Sequence, residues 1–297
     1  MDFRDLIESH PEVLQDRHGL GFTRHSRPAD IAAGFERCGV ILLKDALPAT
    51  VIEAAGQAFR RFFLSPGSSQ AATNRNEQGS WHSPWSIRQD ERFPAASVAS
   101  ALVGAWMWEV VENLCGSSHV AILLKWCMAR HSVDTALGVG GHQDAKVVAA
   151  DVPFSIWIPF NRVVPGRNSG LGFVVPGPAG LLPTLPHNDI GADYVLSDPA
   201  RLWIPAYEMG DVSIHSAYSP HFTTGFGTGT DRFSLEVRAM ARHKTPAAYL
   251  DPAIYVSRRG GIPTIVDRRA SGGDVQAFLS SPDLAPAAAR APRPHPH

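Results

Sequence analysis

The sequence predicts a mainly β protein in which a jelly-roll-like core, residues 119–245, follows a helical flank, residues 1–118. Before residue 119, apolar side chains recur at helical spacing. After it, short apolar or alternating runs are separated by Gly, Pro and Asn, which is typical of a β-sandwich or barrel. These runs cover residues 119–129, 153–160, 171–175, 211–215 and 232–240. The pattern predicts one domain over residues 1–279, followed by a disordered Pro/Ala-rich tail at 280–297.

Three apolar patterns predict the helical flank. A short helix over residues 31–37 is followed by a strand of four apolar residues, 40–43. A second helix begins at Pro48, because the fixed backbone of proline suits the first helical position, and it stops at residues 65–67, Ser-Pro-Gly. A third helix covers residues 95–114.

Composition and charge exclude several classes of function. Lys and Arg number 27 against 28 Asp and Glu, so no basic excess is present to bind nucleic acid or an anionic membrane surface. The apolar stretches are too short to span a bilayer, and the first residues do not resemble a secretory signal. The 3 cysteines lie far apart, as expected for reduced thiols. We therefore expect a soluble cytoplasmic protein that acts on a small molecule.

A jelly roll commonly houses a metal held by two histidines and one carboxylate, with open coordination positions. Two of these ligands often arrive as His-x-Asp, since residues two apart on an extended strand point the same way. The chain contains this motif twice, at His142 and Asp144 and again at His187 and Asp189, and about one occurrence is expected by chance. The motif alone therefore does not identify the site.

The third ligand distinguishes the two motifs. His221 follows Asp144 by 77 residues, enough for about four strands with their loops. The second motif lies closer to His221 and among four prolines, which are poor strand formers. We therefore predict that His142, Asp144 and His221 bind the metal and carry the catalysis, and that His187 and Asp189 lie in a loop. His215 is predicted to lie behind the ligands or to face outward.

The residues after His221 predict a second binding group. A Gly/Thr-rich turn precedes an alternating strand that starts at Arg232. If these segments form a hairpin about residues 226–227, Arg232 lies opposite His221 and points into the same cavity, and Ser234 shares that face. A guanidinium and a hydroxyl beside a metal suit a dicarboxylate co-substrate. Arg238 would lie on this face about 20 Å further along the strand.

Taken together, these motifs resemble the phytanoyl-CoA dioxygenase family. The match rests on the first His-x-Asp, on Gly-Asp-Val at residues 210–212 before His221, and on the Arg232-x-Ser234 pair. Further similar segments extend it to roughly residues 30–245: residues 35–43 with the helix from Pro48, residues 156–159, and residues 168–177. Residues 178 and 179, Pro-Ala, depart from the Ser-His that many members carry there.

The resemblance implies a double-stranded β-helix, or cupin-like jelly roll, that uses Fe(II), 2-oxoglutarate and O2. Succinate and CO2 are then the by-products, and Arg232 and Ser234 hold the distal carboxylate of 2-oxoglutarate. Lys125, Trp126 or Arg130 is expected to add a further contact to it, with Lys125 preferred. Trp157 is expected either behind this site or in the core.

The resemblance also bears on the reaction. Halogenases of this kind have Gly or Ala in place of the carboxylate ligand, so Asp144 favours hydroxylation of an unactivated C–H bond. We expect this reaction to belong to a specialised biosynthetic pathway. Desaturation, cyclisation and epimerisation use the same ligands, and a non-oxidative cupin-type isomerase or hydrolase keeps the triad without needing Arg232. Candidate substrate contacts are Trp81, His82, Trp85 and Gln143.

Overall fold

The computed structural model describes most of the chain. The described residues are 3–64, 74–76, 79–82, 101–123, 126–132, 139–146, 154–186, 189–225, 228–247 and 253–267. The predicted tail at 280–297 lies outside them.

The predicted helices of the flank are present in the structure. They are α2 (Pro28–Cys38), α3 (Ala49–Leu64) and a helix at Met107–Cys115, which lies in the second half of the predicted helix at 95–114. The helix α1 (Phe3–Ser9) and a short helix at Ala192–Leu196 were not predicted. Helix α2 ends at Gly39, whose φ of 74° is left-handed and therefore favours glycine. Among the described residues, no helix has both the length and the apolar character needed to cross a membrane.

The strands begin within the flank and continue through the core. They are β1 (Gly21–Phe22), β2 (Val40–Leu43), β3 (Asn74–Asn76), β4 (Gly79–His82), β5 (Val120–Leu123), β6 (Met128–Ser132), β7 (Val139–His142), β8 (Phe154–Pro159), β9 (Gly170–Val174), β10 (Leu202–Trp203), β11 (Val212–His215), β12 (His221–Thr224), β13 (Arg232–Ala241), β14 (Ala253–Arg259) and β15 (Ile262–Asp267). Each predicted run contains a strand, although the run at 119–129 is divided between β5 and β6.

These strands form two sheets within the described chain. The major sheet has the order β1-β2-β11-β8-β13-β5-β14-β15, with β6 and β4 continuing from β13 and β3 at the edge. The minor sheet has the order β10-β9-β12-β7. Consecutive strands alternate between the sheets, as β11, β12 and β13 do, and this is the winding of a double-stranded β-helix. The predicted fold class is confirmed.

Strand β13 lies at the centre of the major sheet and separates two environments. Phe233, Leu235 and Val237 point to one side, into the main apolar cluster that also contains residues of α3 and of the helix at Met107–Cys115. The alternate residues point inward, toward the minor sheet, and are polar: Arg232, Ser234, Glu236 and Arg238. The helices therefore cover the outer face, and the polar interior is left for a site.

One predicted pairing is wrong. Strands β12 and β13 do not form a hairpin: β12 pairs with β7 and β9, whereas β13 pairs with β5, β6 and β8. His215 and His221 likewise lie on different strands, β11 and β12, in different sheets. The reason is that jelly-roll connections cross from one sheet to the other, so adjacency in sequence does not give adjacency in a sheet.

Candidate functional site

The three predicted metal ligands lie together at one end of the minor sheet. His142 ends β7 and His221 begins β12, and the two residues are Cα partners in the antiparallel pair. Asp144 follows in a short 3-10 turn. The imidazole centroids are 4.2 Å apart, and Nε2 of His142 is 4.0 Å from Oδ1 of Asp144. One potential ligand atom from each residue lies within 4.8 Å of the others, so a single ion can draw all three together.

The backbone orients both imidazoles for metal binding. Nδ1 of His221 lies 3.0 Å from the Ser219 carbonyl, and Nδ1 of His142 lies 3.4 Å from the Gly140 carbonyl. A carbonyl only accepts hydrogen bonds, so each Nδ1 carries the proton and each Nε2 keeps its lone pair for a metal. Two nitrogens and one carboxylate oxygen are the donors of a facial triad. The residues present therefore fit Fe(II).

Asp144 is buried among groups that favour its charged form. Ser155 donates a hydrogen bond of 2.7 Å to Oδ2, and Nη2 of Arg238 lies 3.1 Å from Oδ1. Burial alone raises the pKa of this carboxyl, but the charge of Arg238 outweighs it, and the pKa lies well below its ordinary value. Asp144 is therefore ionised at neutral pH and ready to bind a cation.

The structure corrects the predicted place of Arg238, which does not lie far from the metal ligands but contacts Asp144 directly. The predicted distance of about 20 Å assumed that His221 lies opposite Arg232, and this assumption fails with the hairpin. Glu236, two residues earlier on the same face, accepts a hydrogen bond of 3.0 Å from Nε of Arg238. Sequence alternation places both residues on the inward face, but only the sheet pairing shows which of them reaches the metal ligands.

His215 is fully buried behind the ligands rather than facing outward. Its ring centroid is 4.5 Å from that of His221, and its Nε2 is 3.8 Å from Oδ2 of Asp144. Neither of its ring nitrogens has a hydrogen-bond partner among the described residues. Burial lowers the pKa of His215 and of His142 to about 4, and it lowers that of His221 as well. All three imidazoles are therefore neutral near pH 7.

Arg232 lies at the other end of the inward face and is only 1% exposed. Within the part of the chain that the structure describes, its hydrogen-bond partners are all neutral: the Ser132 hydroxyl at 2.8 Å, the Gly170 carbonyl at 3.2 Å and the Ser169 hydroxyl at 3.4 Å. Its Nε has no hydrogen-bond partner among these residues. Burial, followed by the nearby charge of Arg130, lowers the pKa of the guanidinium to about 9. A buried cation without a counter-ion is costly, which indicates a site for an anion.

The Arg232 side chain extends along the barrel interior toward the metal ligands. Its guanidinium lies 5.2 Å from the ring of Trp157, which pairs with Glu236 four residues along β13. It also reaches Gly170, three residues or about 10 Å along β9 from Phe173. Phe173 is the Cα partner of His221. The guanidinium and the metal ligands are therefore separated by about 10 Å along the interior of the barrel.

Two further polar residues lie on this face. Ser234 is buried, and Arg130 of β6 is its Cα partner, so the two side chains project to the same side. The hydrogen-bond partner of the Arg130 guanidinium is the sulfur of Met128, at 3.7 Å, which is a weak acceptor. Arg130 and Arg232 thus bring two guanidinium groups close together, and no carboxylate of the described residues is bonded to either.

The remaining predicted residues have varied outcomes. Lys125, Trp85 and His187 lie outside the described residues; Trp81 and His82 are described only as backbone of β4, where Trp81 pairs with Arg130. Trp157 is buried in an apolar cluster and carries Arg232 on its ring. Asp189 lies outside any helix or strand, consistent with a loop.

Gln143 lies between two metal ligands in sequence but is fully buried. Its amide donates to the carbonyls of Tyr218 at 2.6 Å and Gly180 at 3.0 Å, and it accepts from the amide of Leu182 at 2.7 Å. These bonds tie the segment around residues 180–182 to the turn that holds Asp144. They favour a structural role for Gln143 over the predicted contact with substrate.

No family model matches the sequence, and no curated protein matches it. Solved structures match the fold. The epimerase SnoN in complex with Fe3+, alpha ketoglutarate and nogalamycin RO has a TM-score of 0.55 and 16% identity over 83% of this chain and 96% of that one. EctD from S. alaskensis with 2-oxoglutarate and 5-hydroxyectoine has a TM-score of 0.55 and 17% identity over 83% and 89%.

A third match is the non-heme alpha ketoglutarate dependent carbocyclase SnoK from nogalamycin biosynthesis, with a TM-score of 0.52 and 14% identity over 80% of this chain and 89% of that chain. At these identities the likeness shows the fold.

Proposed function

We propose that this chain is an Fe(II)/2-oxoglutarate-dependent oxygenase of the phytanoyl-CoA dioxygenase type, and that it hydroxylates a small metabolite. In the overall reaction an unactivated C–H bond becomes C–OH, and 2-oxoglutarate becomes succinate and CO2. One oxygen atom of O2 enters the hydroxyl group and the other enters succinate. The proposal rests on two features of the barrel interior, a metal-binding triad and a buried arginine with no counter-ion among the described residues.

The triad forms the metal end of the site. His142 and His221 present Nε2, and Asp144 presents Oδ1, which lies on the side of the carboxylate facing His142. Fe(II) bound there couples the oxidative decarboxylation of 2-oxoglutarate to activation of O2, chemistry that belongs to the cofactor. The chain contributes neutral imidazoles, an ionised carboxylate and a largely buried setting around them.

Arg232 forms the co-substrate end, and its lack of a counter-ion is the observation that carries the proposal. A dianion that binds the metal through its 2-oxo acid group and extends along the barrel brings its far carboxylate to this guanidinium. Ser234 adds a hydroxyl, and Arg130, one of the three candidates for the additional contact, adds a second cation. The ring of Trp157 packs against the Arg232 guanidinium.

Asp144 bears on the type of reaction. A carboxylate at this position occupies the coordination site that a halide would need, which supports oxygenation over halogenation. Desaturation, cyclisation and epimerisation keep the same ligands, and the mass of the product separates them. Hydroxylation adds an oxygen atom, desaturation and cyclisation remove two hydrogens, and epimerisation leaves the mass unchanged.

A non-oxidative metal-dependent isomerase or hydrolase is the alternative. Such an enzyme needs the triad but has no use for a buried guanidinium about 10 Å away. The cost of burying Arg232 without a counter-ion therefore favours the oxygenase.

The test combines binding and turnover. Anaerobically purified protein is loaded with Fe(II) and titrated with 2-oxoglutarate, and we expect a weak visible metal-to-ligand absorption band to appear. On admission of O2, succinate release is followed across a panel of small metabolites. Absence of both the band and succinate, in protein shown to hold one iron per chain, would contradict the proposal and favour the non-oxidative alternative.

We further propose that the protein works in the cytoplasm on a free small molecule, in a specialised biosynthetic pathway. The balanced net charge of −1 supports a diffusible substrate rather than a polyanion. Metabolite profiling of a deletion strain tests this, and we expect one unoxidised metabolite to accumulate.

A further inference from the structure

Three neighbouring strands of the major sheet each present a polar residue to Asp144. Arg238 on β13 is the Cα partner of Ser155 on β8, and Ser155 is the Cα partner of His215 on β11. Directly opposed residues project to the same face of a sheet, so the three form one row across the interior. All three are buried. We call this row the carboxylate cradle.

The residues of the carboxylate cradle contact different oxygens of Asp144. Ser155 donates to Oδ2 at 2.7 Å, and His215 lies 3.8 Å from the same atom. Arg238 approaches the other oxygen, Oδ1, which is also the one nearer to His142. A carboxylate held in this way offers one oxygen to the metal and keeps the other turned away from it.

Arg238 also places a positive charge beside the metal position. Without a metal, it is the counter-ion of Asp144, and Glu236 in turn forms a close ion pair with it. A divalent cation bound by Asp144 competes with Arg238 for Oδ1 and is repelled by it. Glu236 acts in the opposite direction, because it draws Arg238 toward itself and adds a negative charge near the site.

We propose that Arg238 is a positioning residue that serves as the built-in counter-ion of the metal-binding carboxylate and thereby weakens metal binding, and that Glu236 limits this effect. Ser155 and His215 hold the remaining oxygen. The inference rests on the proposed metal site but not on 2-oxoglutarate or on any substrate. It assigns a function to residues that lie outside the triad and outside the co-substrate end.

The test measures Co(II) affinity in the full chain, by competition with a chromophoric chelator at one fixed neutral pH, without 2-oxoglutarate. Arg238→Met removes the competing charge, and we expect Co(II) to bind roughly tenfold more tightly. Glu236→Gln frees Arg238 to hold Asp144, and we expect binding roughly tenfold weaker. Arg238→Lys keeps the charge and should remain within about threefold of wild type.

The opposite signs separate this inference from a purely structural role, in which both variants would weaken binding through a loosened site. Arg258→Met is the matched control, because it removes an arginine from an ion pair with a buried carboxylate, that of Glu112, in another part of the molecule. It should leave Co(II) affinity unchanged. Thermal melts of the metal-free proteins show which variants are folded.

If Arg238→Met does not fold, Glu236→Gln and Arg238→Lys still decide the matter. An Arg238→Met variant that folds and binds Co(II) no more tightly than wild type overturns the inference, as does a Glu236→Gln variant with unchanged affinity. In either case the proposed oxygenase function stands. A wild-type chain that binds no Co(II) overturns both.

Discussion

Two arginines on the inward face of β13 have opposite electrostatic surroundings. Arg238 is paired with two carboxylates, those of Asp144 and Glu236. Arg232, six residues earlier and also buried, has only hydroxyls and a carbonyl as hydrogen-bond partners among the described residues. The described chain thus supplies a counter-charge at the metal end, and we propose that a ligand supplies it at the other end. A buried charge is informative about function when its partner is missing, and about structure when its partner is present.

Loss of a metal ligand should give the largest effect and should leave the other end of the site intact. We expect His221→Ala to abolish iron retention, with metal affinity reduced on the order of 10³-fold or more, because only two donors remain. Metal content after desalting measures this. His187→Ala, in the second His-x-Asp motif, is the control and should retain iron. Equal iron loss in both variants would mean that the first motif is not the metal site.

The two arginines should respond oppositely when each is replaced by methionine in the metal-free protein. Arg238→Met leaves the buried carboxylate of Asp144 and the half-buried carboxylate of Glu236 without their cation and should lower the free energy of unfolding by about 3–5 kcal/mol. Arg232→Met removes an uncompensated charge and should leave the free energy of unfolding unchanged or raise it by about 1–2 kcal/mol. Urea unfolding at neutral pH measures both. Equal destabilisation by the two substitutions would contradict the claim that Arg238 and Arg232 have opposite electrostatic surroundings.

The loss of stability at acid pH tests whether His215, behind the metal ligands, is neutral in the folded protein. The native pKa of His215 is about 4, against an ordinary value of 6.5, so the unfolded chain binds the proton more readily. The contribution of neutral His215 to the free energy of unfolding is therefore fully present above pH 6.5. It is lost as the pH falls toward 4, by up to about 3 kcal/mol. In metal-free protein, His215→Phe should make the stability fall less steeply over this window. An unchanged slope would contradict the burial of a neutral imidazole there.

The smallest effect is expected at Gln143, whose hydrogen bonds lie outside both ends of the site. Gln143→Leu removes three hydrogen bonds to backbone and should cost about 1–3 kcal/mol of stability. Once a substrate is known, its KM should change little. A large rise in KM with unchanged stability would instead support the predicted contact between Gln143 and substrate.

The metal triad was predictable because its ligands lie in two short sequence patterns that can be recognised without knowledge of the fold. His142 and Asp144 are two residues apart next to a strand, and His221 begins a strand free of prolines. The prolines around the second motif distinguish the two candidates without knowledge of the fold. The helical flank was predictable for the same reason, since helical periodicity is a local pattern.

The surroundings of the triad were not predictable, since they depend on which strands become neighbours. Arg238, Ser155 and His215 are up to 83 residues apart in sequence and form a row only because β8 lies between β13 and β11. The hairpin argument for Arg232 failed because β12 and β13 belong to different sheets, although Arg232 does lie on the inward face. The roles of Lys125, Trp81, His82 and Trp85 stay predictions.

The most direct test of the account is the affinity of 2-oxoglutarate for the Co(II)-loaded protein, measured by calorimetry without O2. We predict that Arg232→Met weakens this binding on the order of 10²-fold, since a buried charge pair is lost, while Co(II) affinity stays within about threefold of wild type. Unchanged 2-oxoglutarate affinity in a folded, metal-loaded Arg232→Met protein would contradict the claim that this guanidinium holds the co-substrate.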